Sequence, residues 1–366
     1  MNKGFIGKVV KVDLSSKRIE IEGIEEKIYR KYLGGSALAS YFLLKELKPG
    51  TDPFSEDNIL VFTTSILSGT TIPGAIRYTV ASKSPLTGAF GEAEAGGYWA
   101  PQLKKAGFDA IVIKGCADKL SYIWIHNGKV ELRDATHLKG KTTGEAESII
   151  RRELNDSKIC IAQIGPAGEN LVRYACILNN VKHANGRTGL GAVMGSKNLR
   201  AIAVRGTQEV SVVDKEKIKN ITKWFAENWK DTSFGMHENG TANGLMYLNI
   251  RGILPTRNFK DGEFEGAEKI SGEATTKNIL IKREGCYACP IRCKRIVECK
   301  DKYKVDPYYG GPEYETVGAF GALCGIDNLE AIAKANELCN KYGMDTISTG
   351  VTIAFAMECY ENGLLS

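Results

Sequence analysis

The stretch Ser121-Tyr122-Ile123-Trp124-Ile125-His126-Asn127-Gly128-Lys129-Val130-Glu131-Leu132 decides the character of the first half of this chain. Apolar residues alternate on either side of Asn127-Gly128, a pair that accepts the positive φ angles of a type I′ turn, so the spacing predicts a β-hairpin. Similar short runs surround it. Gly7 to Asp13, Ile59 to Thr63, Tyr78 to Ala81, Ile159 to Ile164, Tyr174 to Leu178 and Leu199 to Val204 all read as strands, and Ser15-Ser16-Lys17 marks a second hairpin. One helix interrupts them at Thr143 to Leu154, where Thr142 and Glu145 have capping-box spacing. After Gly206 the period changes. Asp214 to Trp229, Asp327 to Tyr342 and Ile347 to Glu361 place apolar residues at helical intervals, so the second part is mainly helical. The expectation is an α+β chain, with a β-rich N-terminal domain over 1–208 and a helical domain over 209–366.

Composition narrows the function. A chain of 366 residues with 43% hydrophobic and 25% charged residues can bury one large or two ordinary cores. The net charge of +6 is spread along the sequence instead of forming a basic arm, which argues against nucleic-acid binding but suits anionic ligands. No run of about 18 apolar residues is present, and Met1 to Phe5 lacks a signal peptide's apolar core, so the expectation is a cytoplasmic chain with no membrane span. Its ten cysteines are too sparse for a disulfide scaffold. Cys116, Cys160 and Cys176 lie in apolar runs and read as buried thiols.

Three cysteines stand apart, in Glu284-Gly285-Cys286-Tyr287-Ala288-Cys289-Pro290-Ile291-Arg292-Cys293-Lys294-Arg295. Thiolates spaced this closely repel one another unless a metal draws them together. Zinc sites usually pair two CxxC knuckles or add histidines, and neither is nearby. Closely spaced cysteines with one remote partner are the habit of iron–sulfur clusters, which makes a cluster the preferred reading over zinc or free thiols. Cys299 and Cys324 are in-chain candidates for a fourth ligand. Arg292, Lys294 and Arg295 surround the cysteines with positive charge that suits an acidic electron carrier, or simply forms a solvated basic loop.

Other stretches invite a ligand. His183-Ala184-Asn185-Gly186-Arg187-Thr188-Gly189-Leu190-Gly191, continuing to Lys197, has the glycines of an anion cradle, with Arg187 or Lys197 to neutralise charge, but lacks the Walker and dinucleotide patterns. Gly91 to Trp99 can bring backbone close to a ligand, with Arg77 on a neighbouring strand, or form simple tight turns. In Gly310-Gly311-Pro312-Glu313-Tyr314-Glu315-Thr316 two carboxylates precede an apolar run, where they serve either as helix caps or as a proton acceptor.

Taken together, GRTGLGAVMGSKNLRAIAV, CYACPIRC, GGPEYET and NKYGMDTISTG, in this order, resemble the tungsten-containing aldehyde:ferredoxin oxidoreductase family. The resemblance begins at GKVVKVDLSSKRIEIE and runs through SPLTG, GYWAPQLKKAGFDAIVIKG and IGPAGEN. It implies a β-rich saddle for a tungsten bis-pterin cofactor, a [4Fe–4S] cluster held by Cys286, Cys289 and Cys293, and Mg2+ bridging pterin phosphates. Arg77, Glu94, Gly96, His183, Ala184, Gly186 and Arg187 fall where pterin, phosphate or magnesium is held. Asn340, Met344 and Asp345 fall in the pterin motif DxxGLD, here NKYGMD, with Asn340 replacing an aspartate. His183 replaces an arginine and Glu94 an asparagine. Glu315 matches the carboxylate beside the metal. Where some members carry an ExxH iron site, this chain has Lys334-Ala335-Asn336-Glu337, so no such iron is expected.

The implied partners are ferredoxin or a ferredoxin-like subunit, a small aldehyde, and a second copy of the chain or a complementary C-terminal chain. A second pterin motif, the fourth cluster cysteine and an active-site histidine are expected beyond residue 366, so the chain is expected to be a fragment or one half of a split enzyme.

Overall fold

A computed structural model describes residues 4–366. The chain divides into two compact units: residues 1–225 with Cys286–Cys289 and Tyr342–Met344 in the first, and the remainder in the second.

The first unit is built on two six-stranded sheets. One contains β1 (Lys8–Asp13), β2 (Arg18–Gly23), β3 (Leu60–Thr64), β4 (Tyr78–Lys83), β5 (Phe90–Ala95) and β6 (Ala110–Lys114), in the order β2-β1-β6-β3-β4-β5. The other contains β7 (Ser121–His126), β8 (Lys129–Asp134), β9 (Cys160–Gln163), β10 (Ile177–Asn179), β11 (His183–Asn185) and β12 (Leu199–Arg205), in the order β11-β10-β9-β12-β7-β8. Both predicted hairpins form. β1 pairs with β2 across Ser15 to Lys17, and β7 pairs with β8 across Asn127 and Gly128, whose φ angles of 43° and 88° are those of a type I′ turn.

Central strands are apolar on both faces because both faces are covered. Val10, Leu60, Phe62, Val80, Ile111 and Ile113 of the first sheet share one core with Ile123, Ile125, Ala162, Ile202 and Val204 of the second. Alternate residues face outward. Val9, Val61 and Val112 pack on α1 (Glu26–Tyr32) and α2 (Gly35–Glu46), while Tyr122, Ile161 and Ala203 pack on α4 (Thr143–Glu153). The predicted capping box starts α4, with Thr142 and Glu145 bonding each other's backbone.

Between these two comes α3 (Trp99–Lys105), whose Trp99 ties the sheets together. Its ring lies 4.6 Å from Tyr78 and 5.6 Å from Phe62, and its indole N–H donates to Ile202 O on β12 at 3.0 Å. The short α5 (Pro166–Glu169) and α6 (Leu190–Ser196) complete this unit. The strand expected at Tyr174 to Leu178 is displaced to β10. Ala175 instead bridges Met344, and Cys176 N–H donates to Gly343 O at 2.9 Å, so these residues bind the Tyr342–Met344 segment.

The division falls within α7 (Lys215–Asn239), which runs ten residues past the expected helix end at Trp229. Its last carbonyls are satisfied by side chains: His237 O and Glu238 O accept from Arg283 and Arg295. The second unit continues with α8 (Leu245–Ile250), α9 (Gly272–Asn278), the hairpin of β13 (Leu280–Glu284) and β14 (Lys294–Val297), α10 (Tyr314–Phe320), α11 (Leu329–Tyr342) and α12 (Thr346–Glu361). Gly350 lets α12 approach α10, since a Cβ there would lie 2.7 Å from Ala319 C. Among the described residues no helix is long and apolar enough to cross a membrane.

Glu337 on α11 is 1% exposed and anchors this unit electrostatically. Burial opposes its ionisation, but hydrogen bonds from Lys341, Asp306 N–H and Lys334 outweigh it and hold the carboxyl below its ordinary 4.5. A depressed carboxylate pKa adds stability above the unfolded value, which disappears as pH falls through the folded one. Glu337→Gln should therefore cost about 1–3 kcal/mol at neutral pH. In thermal unfolding the gap from the parent chain should narrow progressively below pH 4.5.

Candidate functional site

The edges of the two sheets meet along β5 and β11. Asn185 Nδ2 donates to Ala93 O at 2.8 Å, and Thr188 Oγ1 donates to Glu92 O at 3.2 Å. Tyr78 pairs with Ala95, which sets Arg77 opposite Gly96 just beyond the ladder. This margin therefore gathers residues that are about a hundred positions apart in sequence: Arg77, Glu94 and Gly96 from the first sheet, and His183, Ala184, Gly186 and Arg187 from the second. Arg77, Glu94, Ala184 and Arg187 are exposed. Glu94 accepts a hydrogen bond from Thr79 Oγ1 at 3.4 Å. The Arg77 guanidinium has no hydrogen-bond or ion-pair partner among the described residues, leaving a cation beside exposed strand-edge backbone. Such an edge suits an anionic, hydrogen-bonding ligand.

The rest of the glycine-rich stretch does something else. A Cβ on Gly189 would lie 2.0 Å from Arg173 O, one on Gly191 2.5 Å from Cys176 O, and one on Gly195 1.9 Å from Gly168 O. These glycines let α6 pack against backbone, so they are not a phosphate cradle. Lys197 is fully buried and donates to Asn58 O and to Gly115 O at 3.2 Å. Burial pushes its pKa down to about 8. It faces inward and cannot neutralise an anion at this margin, which corrects that part of the sequence expectation.

The Cys286–Cys289 segment, part of the same unit, docks on this margin. Gly97 N–H donates to Cys286 Sγ at 3.2 Å, and Tyr287 N–H donates back to Gly97 O at 3.2 Å. Lys105 Nζ bonds the Tyr287 hydroxyl at 3.1 Å and lies 4.7 Å from its ring centre. A Cβ on Gly96 would come within 2.9 Å of the Cys286 sulfur, so only glycine permits this approach. Cys289 N–H bonds Cys286 O at 3.1 Å. Ala288 and Arg292, each directly before a cysteine, have φ angles of 56° and 51°. Among the described residues no three His, Cys, Asp or Glu side chains are grouped to hold a metal.

Chemically, the donors nevertheless fit a sulfur-ligated group. Cys286, Cys289 and Cys293 are half-exposed, whereas Cys160, Cys299, Cys324 and Cys339 are buried, with burial pushing their thiols up to about 12, 11, 11 and 12. Of the expected buried thiols, Cys160 and Cys176 are buried, but Cys116 is half-exposed in the loop after β6.

The basic residues around the loop have structural work. Arg295 is 2% exposed and donates to Arg292 O, Cys293 O, His237 O and Glu238 O. Lys294 pairs with Glu313 at 2.8 Å. Arg292 alone of the three is exposed.

Elsewhere the expected residues have local roles. Asp345 caps α12, accepting from Ile347 N–H and from Ser348 N–H and Oγ. Asn340 Nδ2 donates to Tyr309 O at 2.8 Å. Met344 packs with Ala175 and Ala192, beside a close approach of Gly343 to Gly165. Glu313 binds Lys294 and Thr241 and does not cap α10 through its side chain. Glu315 lies in the first turn of α10, exposed and with no hydrogen-bond or ion-pair partner among the described residues.

Asn179 went unnoticed in the sequence. It is fully buried and donates to Tyr78 OH, Gly96 O and His183 O at 3.2, 3.1 and 3.3 Å. A polar residue closing the apolar run Ile177-Leu178 is a signal of sorts, but its partners lie up to 101 positions away.

Comparison with known proteins agrees with this architecture. Residues 9–206 match the model of the aldehyde ferredoxin oxidoreductase N-terminal domain, and residues 216–366 match that of domains 2 and 3. The chain belongs to the aldehyde ferredoxin oxidoreductase family. It is 45% identical to the tungsten-containing aldehyde ferredoxin oxidoreductase of Thermococcus kodakarensis and 46% identical to that of Pyrococcus abyssi, covering 99% of this chain and 60% of each relative. It thus spans less than two thirds of the length of these relatives. A solved structure, the BamBC active-site complex of benzoyl coenzyme A reductase with 1,5-dienoyl-CoA, superposes with a TM-score of 0.87 at 29% identity, covering 100% of this chain and 57% of that one.

Gly97 has φ 94°, and a Cβ there would lie 2.5 Å from Asn179 Oδ1. Gly97→Ala should undock Cys286 and Tyr287, exposing the Cys286 thiol. Peptide-resolved alkylation should show Cys286 modified several-fold faster, with Cys359 as an unchanged internal reference.

Proposed function

We propose that this chain serves a tungsten-pterin oxidoreductase that converts an aldehyde and water into a carboxylic acid, two protons and two electrons. The observation that carries this reading is the docking of Cys286 and Tyr287 on the Gly96-Gly97 edge, beside Arg77 and the β11 margin. That arrangement suits a redox group on sulfur next to a phosphate-bearing cofactor. Identity of 45–46% to the two tungsten enzymes supports the same cofactor here. When bound, a tungsten bis-pterin supplies a Lewis acid and two-electron acceptor, and a [4Fe–4S] cluster supplies the exit towards ferredoxin or a ferredoxin-like subunit.

The chain's own residues would divide the work. Arg77 and Arg187 neutralise phosphate, while Glu94, Gly96, His183, Ala184 and Gly186 offer edge backbone and side-chain oxygen to pterin, phosphate and a bridging Mg2+. Asn340 and Met344 lie in the pterin motif, and Asp345 fixes the start of α12 beside them. Cys286, Cys289 and Cys293 hold the cluster. Glu315 would take the proton of the attacking water at its carboxylate, a role open to an exposed group with no hydrogen-bond or ion-pair partner among the described residues.

A second reading is a same-family reductase acting on acids, thioesters or aromatic rings. The 0.87 TM-score to the benzoyl coenzyme A reductase complex favours it, but at 29% identity it stands behind the aldehyde reading. Turnover of short aldehydes against acyl thioesters separates the two. In the complete enzyme, Glu315→Gln should lower aldehyde turnover at least about 100-fold with metal content unchanged. Full turnover in that variant would remove Glu315 from the reaction.

A further inference from the structure

We propose that Asn179 is a positioning residue for the Cys286 sulfur, acting through the single peptide group that joins Gly96 to Gly97. The carbonyl of that peptide accepts from Asn179 Nδ2 at 3.1 Å, and its N–H donates to Cys286 Sγ at 3.2 Å. One rigid planar unit thus carries a hydrogen bond on each side. The orientation of the Asn179 amide is fixed by its partners, because Gly96 O and His183 O are carbonyls that only accept. The third partner, the Tyr78 hydroxyl, anchors the amide from inside the core at 3.2 Å.

The surroundings leave this peptide no freedom. A Cβ on Gly96 would lie 2.9 Å from the sulfur, and a Cβ on Gly97 would lie 2.5 Å from Asn179 Oδ1. The two glycines are therefore wedged between amide and sulfur, presenting only hydrogens to each. Asn179 is 0% exposed, and its Oδ1 is a buried acceptor without a hydrogen-bond donor among the described residues. A fully buried amide that leaves one acceptor unsatisfied costs stability, which the hydrogen bonds donated by its Nδ2 offset. In a buried setting, hydrogen bonds in series polarise one another. Donation by Asn179 to the carbonyl strengthens donation by the N–H to sulfur, stabilising negative charge on Cys286. For a redox group held by that sulfur, the reduced state gains and the midpoint potential rises.

The potential depends on the cluster reading of Cys286, whereas the positioning of the peptide does not, so two measurements on the full protein separate them. The first is hydrogen exchange at the Gly97 amide in Asn179→Leu, which removes the donor at similar volume. Exchange should accelerate roughly fivefold as one net hydrogen bond is lost. The second is the midpoint of the iron–sulfur EPR signal in anaerobically prepared protein, which should move to lower potential in the same variant. Tyr78→Phe removes only the anchor and should shift both quantities in the same direction by less; it also serves if Asn179→Leu does not fold. Unchanged Gly97 exchange in a folded variant overturns the proposal, and so does a changed exchange with an unmoved midpoint. An altered exchange with no iron–sulfur signal in the parent protein would refute the cluster on Cys286 while upholding the positioning role.

Discussion

The shared apolar layer between the two sheets is the constraint on which the candidate site depends. Phe62 and Ile111 on one side and Ile123 and Ile202 on the other leave no room for the sheets to slide, and Trp99 locks them by packing on Tyr78 while bonding β12. Because the layers are fixed, the edge strands β5 and β11 must lie side by side. Every feature of the margin, from Arg77 to Arg187, inherits its position from that core. Buried side chains of this size are worth about 1.5–3 kcal/mol each, so the site is held by the domain and not by its own few hydrogen bonds.

Local signals were legible in the sequence because their physics is local. Asn127-Gly128 specifies a turn through its own backbone preferences, and Thr142 with Glu145 specifies a helix start through bonds three residues apart. The change from strands to helices after Gly206 follows from period alone. What the sequence could not separate was two uses of glycine. At Gly96 and Gly97 small size admits a sulfur and an amide, whereas at Gly189, Gly191 and Gly195 it admits a neighbouring backbone. The pattern is the same in one dimension, and only the approach of distant chain segments distinguishes them. Lys197 is the same kind of case, since a buried lysine bonded to three backbone carbonyls looks in sequence like any other lysine beside a glycine.

Charge near the cysteines shows a similar division. Arg295 and Lys294 are consumed by helix-end carbonyls and by Glu313, which stiffen the hairpin that presents the loop. Arg77 and Glu315, by contrast, carry charge that no hydrogen bond or ion pair among the described residues uses. Spending most ionic groups on rigidity while leaving a few uncommitted is how a scaffold keeps reactive geometry without rearranging around its ligand.

As proposed above, the docked Cys286–Cys289 segment and the sheet margin receive redox metal. The most direct measurement is metal analysis of the complete enzyme, purified anaerobically from cells supplied with tungstate. Iron and tungsten bound together are the expected result, with iron lost when Cys286 is replaced by serine. Zinc in the absence of both iron and tungsten would contradict the account.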